Sequence, residues 1–123
     1  DVNTVWWSGL DMPAVKGQFT QMLHDWQLTH VCEVLPEPSR DAASKVPSID
    51  FLHLDGNFSE QGALLDSELY LPKVTKGGYA LLSNALVTVA SLPTKMKALR
   101  PFFESCEIIA ELDGGNTLLF RKR

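Results

Sequence analysis

The sequence predicts an α/β fold: a mainly parallel sheet with helices between its strands and an antiparallel hairpin at the C-terminal end. Three observations predict it. Strand-like and helix-like apolar patterns alternate between residues 4 and 121, the arrangement that layers helices on a parallel sheet. Residues 49–54 (IDFLHL) form an almost continuous apolar run, which suits a parallel strand covered on both faces. Asp113, Gly114, Gly115 and Asn116 join two apolar stretches, and these residue types tolerate the positive φ of a hairpin turn.

Residues 4–10 (TVWWSGL) read as a strand that breaks at Gly9. Asp11 can cap the helix that follows, with Pro13 in its first turn. Val15, Phe19, Met22 and Trp26 then recur at steps of four, three and four, one apolar stripe expected to face the core. Residues 30–35 (HVCEVL) read as a second strand, stopped by Pro36 and Pro38. A short helix is expected over 39–45, with Ser39 as its cap and Pro47 beyond it. The strand at 49–54 runs into Asp55 and Gly56, and Ser59 can cap a helix carrying Leu64, Leu65, Leu69 and Tyr70 that Pro72 closes. Lys76, Gly77 and Gly78 read as a sharp turn into a buried strand at 79–82. Residues 85–92 read as loop with a helical turn. Pro93 is expected to start a helix bearing Met96, Leu99 and Phe103, kinked or shortened by Pro101. Strands at 106–112 and 117–121 end the chain.

Composition bounds the function. The 123 residues suit one domain spanning 1–123, and 45% hydrophobic with 21% charged residues supports an apolar core. A formal net charge of -4 makes a poor phosphate-backbone binder, and Arg121, Lys122 and Arg123 are too short a basic end to reverse it, so no nucleic-acid partner is expected. No apolar run is long enough for a membrane span and no signal-peptide pattern is visible, so a cytoplasmic location is expected. Cys32 and Cys106 form no CxxC unit, and each is expected to be a buried thiol. The chain opens with Asp1 rather than Met, which processing, cloning or fragmentation would each explain.

Residues 49–84, IDFLHLDGNFSEQGALLDSELYLPKVTKGGYALLSN, resemble the centre of a class I S-adenosylmethionine-dependent methyltransferase. More narrowly they resemble small-molecule O-methyltransferases whose fourth strand runs into Ile-Asp-Gly-Asp-His. Here Leu54, Asp55, Gly56, Asn57 and Phe58 stand at that motif, Asp66, Glu68, Leu71 and Pro72 at the acidic helix ending in Leu-Pro, and Gly77 and Gly78 at the Gly-Gly entry to strand five. The resemblance implies a Rossmann-like sheet, with strands two to seven at 4–10, 30–35, 49–54, 79–82, 106–112 and 117–121. It also implies a Gly-rich cofactor loop after a first strand, yet the sequence contains no GxGxG. The domain is therefore expected to lack its first strand and that loop. The sheet edge so exposed would take a partner, either a second copy or the remainder of a parent protein.

The resemblance also proposes site residues, each with a plainer alternative. Asp11 would bond the cofactor ribose, or would simply cap its helix. Asp55 would face the cofactor or substrate at the end of the strand as a catalytic residue, Gly56 and Asn57 meeting the cofactor beside it, or Asp55 would only form a turn. Asn57 and Phe58 replace the family's Asp-His, so a histidine base is missing there; His53, on the same strand face as Asp55, could serve instead, or be a satisfied structural histidine. Ser83 and Asn84 would meet the substrate. Ser83 stands where metal-dependent relatives carry a carboxylate, so no divalent metal is expected. Asp66 and Glu68 read as solvent-facing. Tyr70, Tyr79, Trp6 and Trp7 could stack an adenine, or could pack in the core.

Two functions from different classes follow. The first is methyl transfer from S-adenosylmethionine to a hydroxyl or amine of a small molecule or saccharide, within a larger protein. The second is a non-catalytic methyltransferase-like module for protein contact inside a larger enzyme, such as one that transfers a sugar. The missing loop, Phe58 and Ser83 favour the second, and leave open whether the chain alone is active. A third reading is an α/β domain with accidental likeness.

Overall fold

A computed structural model describes residues 8–89, 92–93 and 95–123. Residues 4–7 of the expected first strand, with Trp6 and Trp7, lie outside the described residues, and Ser8, Gly9 and Leu10 form a turn and bend. Helix α1 spans Met12–Asp25; Asp11 caps it by accepting from the Ala14 N–H at 3.1 Å, and Pro13 lies in its first turn. Its stripe does not face a core. Val15, Phe19 and Met22 are exposed and Trp26 is 74% exposed, while Leu23 on the flank of the stripe is buried. The spacing identifies an apolar face but not what covers it.

Residues 30–35 are not a strand. Gln27 adopts the left-handed conformation (φ 55°) and closes α1, Leu28 N–H donating to Leu23 O at 2.8 Å. Val31 and Cys32 N–H then both donate to Leu28 O, so this turn consumes the donors a ladder would need. Pro36 and Pro38 supply none. Cys32 is accordingly exposed, against expectation, whereas Cys106 is buried, and both are free thiols. Helix α2 spans Ser39–Ala42 and runs into a 3-10 turn at Ala43–Lys45; Pro38, not Ser39, takes the cap position.

Strands β1 (Ile49–Leu54), β2 (Val74–Leu82), β5 (Cys106–Leu112) and β6 (Thr117–Lys122) form one sheet in the order β1-β2-β6-β5. β1 and β2 are parallel, and the other two pairings are antiparallel. The fold is thus α/β with a mixed sheet and a C-terminal antiparallel hairpin, a partial Rossmann-like arrangement. Among the described residues β1 is the edge strand, and its two faces differ in cover: Leu52 is buried but Phe51 is 57% exposed. The expectation of an inner strand covered on both faces is corrected to that extent. Asp113 (φ 51°), Gly114 (φ 62°) and Gly115 (φ 88°) turn the hairpin in left-handed conformations, as their residue types suggested.

The expected turn at Lys76, Gly77 and Gly78 is a bulge inside β2. Ile49 pairs with Val74 and Phe51 with Tyr79, so β2 loops out between those pairs. Gly77 takes φ 81° there, and a Cβ on Gly78 would lie 2.9 Å from the carbonyl oxygens of Asp50 and Thr75. The glycines do what their chemistry allows, but the chain continues in the same direction.

Helix α3 (Glu60–Tyr70) and helix α4 (Met96–Ser105) pack together, burying the small residues Ala63, Ser67 and Ala98. Between β2 and α4, Thr88–Val89 (β3) and Leu92–Pro93 (β4) form a short antiparallel ribbon. Pro93 therefore belongs to a strand and the helix starts at Met96. Pro101 is accommodated within α4, its carbonyl accepting from Ser105 Oγ at 2.8 Å. The buried face of α4 is centred one step from the expected one: Ala98 and Phe102 are buried, Leu99 is partly buried against the core as expected, and Met96 and Phe103 are exposed. Close approach of α3 selects alanine at 98, and the core opposite Phe120 selects the ring at 102. Leu52, Leu71, Val74, Ala80, Leu82, Ala85, Phe102, Cys106, Leu118 and Phe120 make one core cluster.

Candidate functional site

Because β1 and β2 are parallel neighbours, their C-terminal ends open on the same side. In open α/β sheets ligands bind outside such ends. The ladder extends one step past β2, where Ser83 N–H donates to Leu54 O at 3.0 Å. That step brings 55–57 beside 83–84, the juxtaposition on which the expected site depended.

The side chains interlock there. His53 Nε2 lies 2.8 Å from Ser83 Oγ. Asn84, in the left-handed conformation that asparagine tolerates (φ 56°), donates its amide to Asp55 Oδ1 at 2.5 Å. Asn57 faces the helix: its Oδ1 accepts from Ser59 N–H at 3.2 Å and Ser59 Oγ at 3.0 Å, while Ser59 Oγ caps α3 through Gly62 N–H at 3.1 Å. Gly62 has no side chain to displace the Asn57 amide, which occupies the space a Cβ there would need. Gly62→Ala is expected to change stability by no more than about 1 kcal/mol, since the helix-propensity gain offsets the lost contact. It should nonetheless break the Asn57–Ser59 hydrogen bonds. The Asn57 side-chain amide resonances in an NMR spectrum check this; unchanged shifts would mean the amide is not held there.

A cavity of about 450 Å³ opens at this rim, lined by His53, Asp55, Gly56 and Asn57 from the β1 side and by Asp66 and Tyr70 from α3, with Ser39. Asp66 Oδ1 accepts from Ser39 Oγ at 2.5 Å, and Tyr70 OH donates to Ser39 O at 2.5 Å, fastening α2 to the mouth. Asp66 is therefore not the plain solvent-facing residue expected of it, whereas Glu68 is exposed. Burial raises the Tyr70 pKa, and the Asp66 and Glu37 carboxylates add to the rise. Asp11 is absent from the lining of this cavity and is engaged in capping α1.

Lys95 is the residue the sequence reading missed. It is 1% exposed, and its Nζ donates to Asp55 O at 2.6 Å and Ser83 O at 2.7 Å. Nζ also stands 5.3 Å from the centroid of the Phe58 ring, a cation–π contact. Burial lowers its pKa, against the opposing pull of the Asp55 and Asp66 carboxylates. Lysine at a helix entry is ordinarily solvated, and no periodicity marks one that turns inward.

The rim can accept hydrogen bonds from hydroxyls and attract a positive centre through Asp55 and Asp66. Among the described residues, no three His, Cys, Asp or Glu side chains are gathered to hold a metal ion. No helix of the described residues is long and apolar enough to cross a membrane. In comparisons with known proteins, residues 5–85 match the family model described as a methyltransferase domain. No curated protein matches the chain.

Proposed function

The chain belongs to the methyltransferase-domain family, and from that premise we propose that the rim of β1 and β2 binds S-adenosylmethionine and an acceptor hydroxyl or amine of a small molecule or saccharide. Residues 5–85 are a class I S-adenosylmethionine-dependent methyltransferase domain. The observation that carries the proposal is the convergence of Asp55, Asn84, His53 and Ser83 at the ends of two parallel strands, beside a cavity of ligand size.

The residues fit the ligand by charge and hydrogen-bonding type. A carboxylate accepts at both oxygens, and Asn84 engages Oδ1 of Asp55, orienting the group. Asp55, Gly56 and Asn57 are proposed to meet the cofactor, Asp66 adding negative charge toward a cationic ligand. Asp11 is proposed to reach the ribose only if its capping bond to Ala14 is given up. When bound, S-adenosylmethionine supplies a methyl group already activated on a sulfonium. The protein then has to align the acceptor and remove a proton. His53 is proposed as the proton acceptor, with Asp55 close to the reacting atoms. Ser83 and Asn84 are proposed to orient the acceptor.

Calorimetric titration with S-adenosylhomocysteine tests the proposal. Saturable binding is expected, and Asp55→Ala should weaken it at least about tenfold, the size of one charge-assisted hydrogen bond. Absence of saturable binding overturns the reading. It would favour the second one, a non-catalytic contact module, which the Phe58 ring over Lys95 in place of a proton-accepting histidine also supports.

A further inference from the structure

Ends of neighbouring parallel strands diverge once the ladder stops, and residues beyond them need something to hold their spacing. Here the ladder stops at Ser83 N–H to Leu54 O. Beyond it, the Asp55 and Ser83 carbonyls both point to a single buried ammonium, Lys95 Nζ, from beneath the rim. These two residues carry the side chains that meet across the rim, Asp55 with Asn84 and Ser83 with His53. A third direction of the ammonium is covered by the Phe58 ring, which follows Asn57 in the same loop. Lys95 thus engages both strand ends and the loop after β1, yet it is 1% exposed and is not among the residues that line the cavity.

We propose that Lys95 is a positioning residue: by holding the Asp55 and Ser83 carbonyls to one point it sets the separation of the Asp55–Asn84 and His53–Ser83 pairs, and through them the affinity of the site for its ligand. This rests on the methyltransferase reading for the identity of the ligand, but not for the clamp itself. The chemistry selects lysine. A serine or asparagine at the head of α4 could not span from the helix to both carbonyls, and a methionine of equal length would leave them without a donor. An arginine could reach them, but its planar fork would aim its donors differently from the compact ammonium.

The test compares Lys95→Met, Lys95→Gln and Lys95→Arg in the full chain by two readouts. The first is the side-chain ¹⁵N resonance of His53 Nε2 in ligand-free protein; the second is S-adenosylhomocysteine affinity by calorimetry, each taken well below the Tm of the variant. Lys95→Met is expected to shift the His53 resonance as its bond to Ser83 is lost, and to weaken binding about tenfold or more. Lys95→Arg should restore part of both, which a merely structural loss would not. Lys95→Gln keeps an aliphatic stem and a neutral amide in place of the ammonium, and provides a second comparison if the Met variant does not fold. A folded Met variant with a wild-type His53 resonance overturns the clamp whether or not ligand binds, and so does a folded Gln variant that matches wild type in both the resonance and the affinity, since a neutral amide then does all that the ammonium was proposed to do. A shifted resonance with undiminished affinity overturns its role in binding. A wild-type protein that shifts as predicted on substitution but binds no S-adenosylhomocysteine rejects the ligand assignment and leaves the clamp standing.

Discussion

Phe120→Ala is expected to lower the unfolding free energy by about 3–5 kcal/mol, the cost of truncating a fully buried aromatic. Phe120 is 0% exposed on β6, the strand that joins the parallel pair to the hairpin. It pairs with Ala80 on one side and Ile108 on the other. The Phe102 ring packs against it at 4.8 Å between centroids, tilted by 49°, and the Phe103 ring meets it edge-on at 5.7 Å. Ala80, also fully buried, has no side-chain atoms beyond Cβ to move into the space, so the cavity stays open. For a domain whose total stability is of order 5–15 kcal/mol, such a loss is large. Urea denaturation should show a lower midpoint with an unchanged slope. Phe103→Ala provides the contrast: that ring is about half exposed, and its loss should cost well under half as much. A Phe120→Ala variant within about 1 kcal/mol of wild type would mean that the hairpin does not seal the core.

The same core shows why part of the fold was legible and part was not. The hairpin at 113–116, the cap at Ser59 and the parallel pairing of 49–54 with 79–82 rest on local residue chemistry or on long apolar runs. Such signals survive whatever surrounds them. The stripe on α1 and the stripe on α4 rest on the assumption that large apolar residues mark the buried side. On α4 that assumption is displaced by one residue, because Ala98 is what α3 can approach closely. On α1 it fails outright, since Leu23 is buried and Trp26 is not. At 30–35 a β-like composition gives way to a turn that takes up the N–H groups of Val31 and Cys32. The rim was legible because strand ends follow from topology: Asp55, Ser83 and Asn84 had to arrive together once the two strands were parallel, whereas Asn57 turns to the helix. Lys95 and Asp66 were not, because each is a charged residue at the entry of a helix or on one, and its inward contact depends on the loops facing it.

Gly78→Ala is the substitution expected to carry a fault in the sheet into the site. Its added Cβ would lie 2.9 Å from two backbone carbonyl oxygens, of Asp50 on β1 and Thr75 within the bulge, and 3.0 Å from Thr75 Oγ1. Thr75 Oγ1 is itself held by Asp50 Oδ1 at 3.1 Å, so no flexible side-chain end can yield. The strands themselves must move. Overpacking of this kind costs about 1–3 kcal/mol, from which the smaller entropy of the unfolded alanine chain takes back up to about 1 kcal/mol. Gly77→Ala is the control. It has open space around the added Cβ but a left-handed φ of 81°, so its cost of about 1–2 kcal/mol is confined to one residue's backbone. The two variants should differ at the rim more than in stability. The bulge fixes the register in which His53 faces Leu81 and Leu54 faces Leu82, and a slip of one residue would send His53 and Ser83 to opposite faces. Denaturation curves should therefore show both variants destabilised, while proton contacts between His53 and Ser83 in an NMR spectrum persist in Gly77→Ala and fade in Gly78→Ala. If both variants keep those contacts, the spacing of the rim is set downstream of the bulge, by the ladder from Phe51 to Leu54 and the Lys95 ammonium alone.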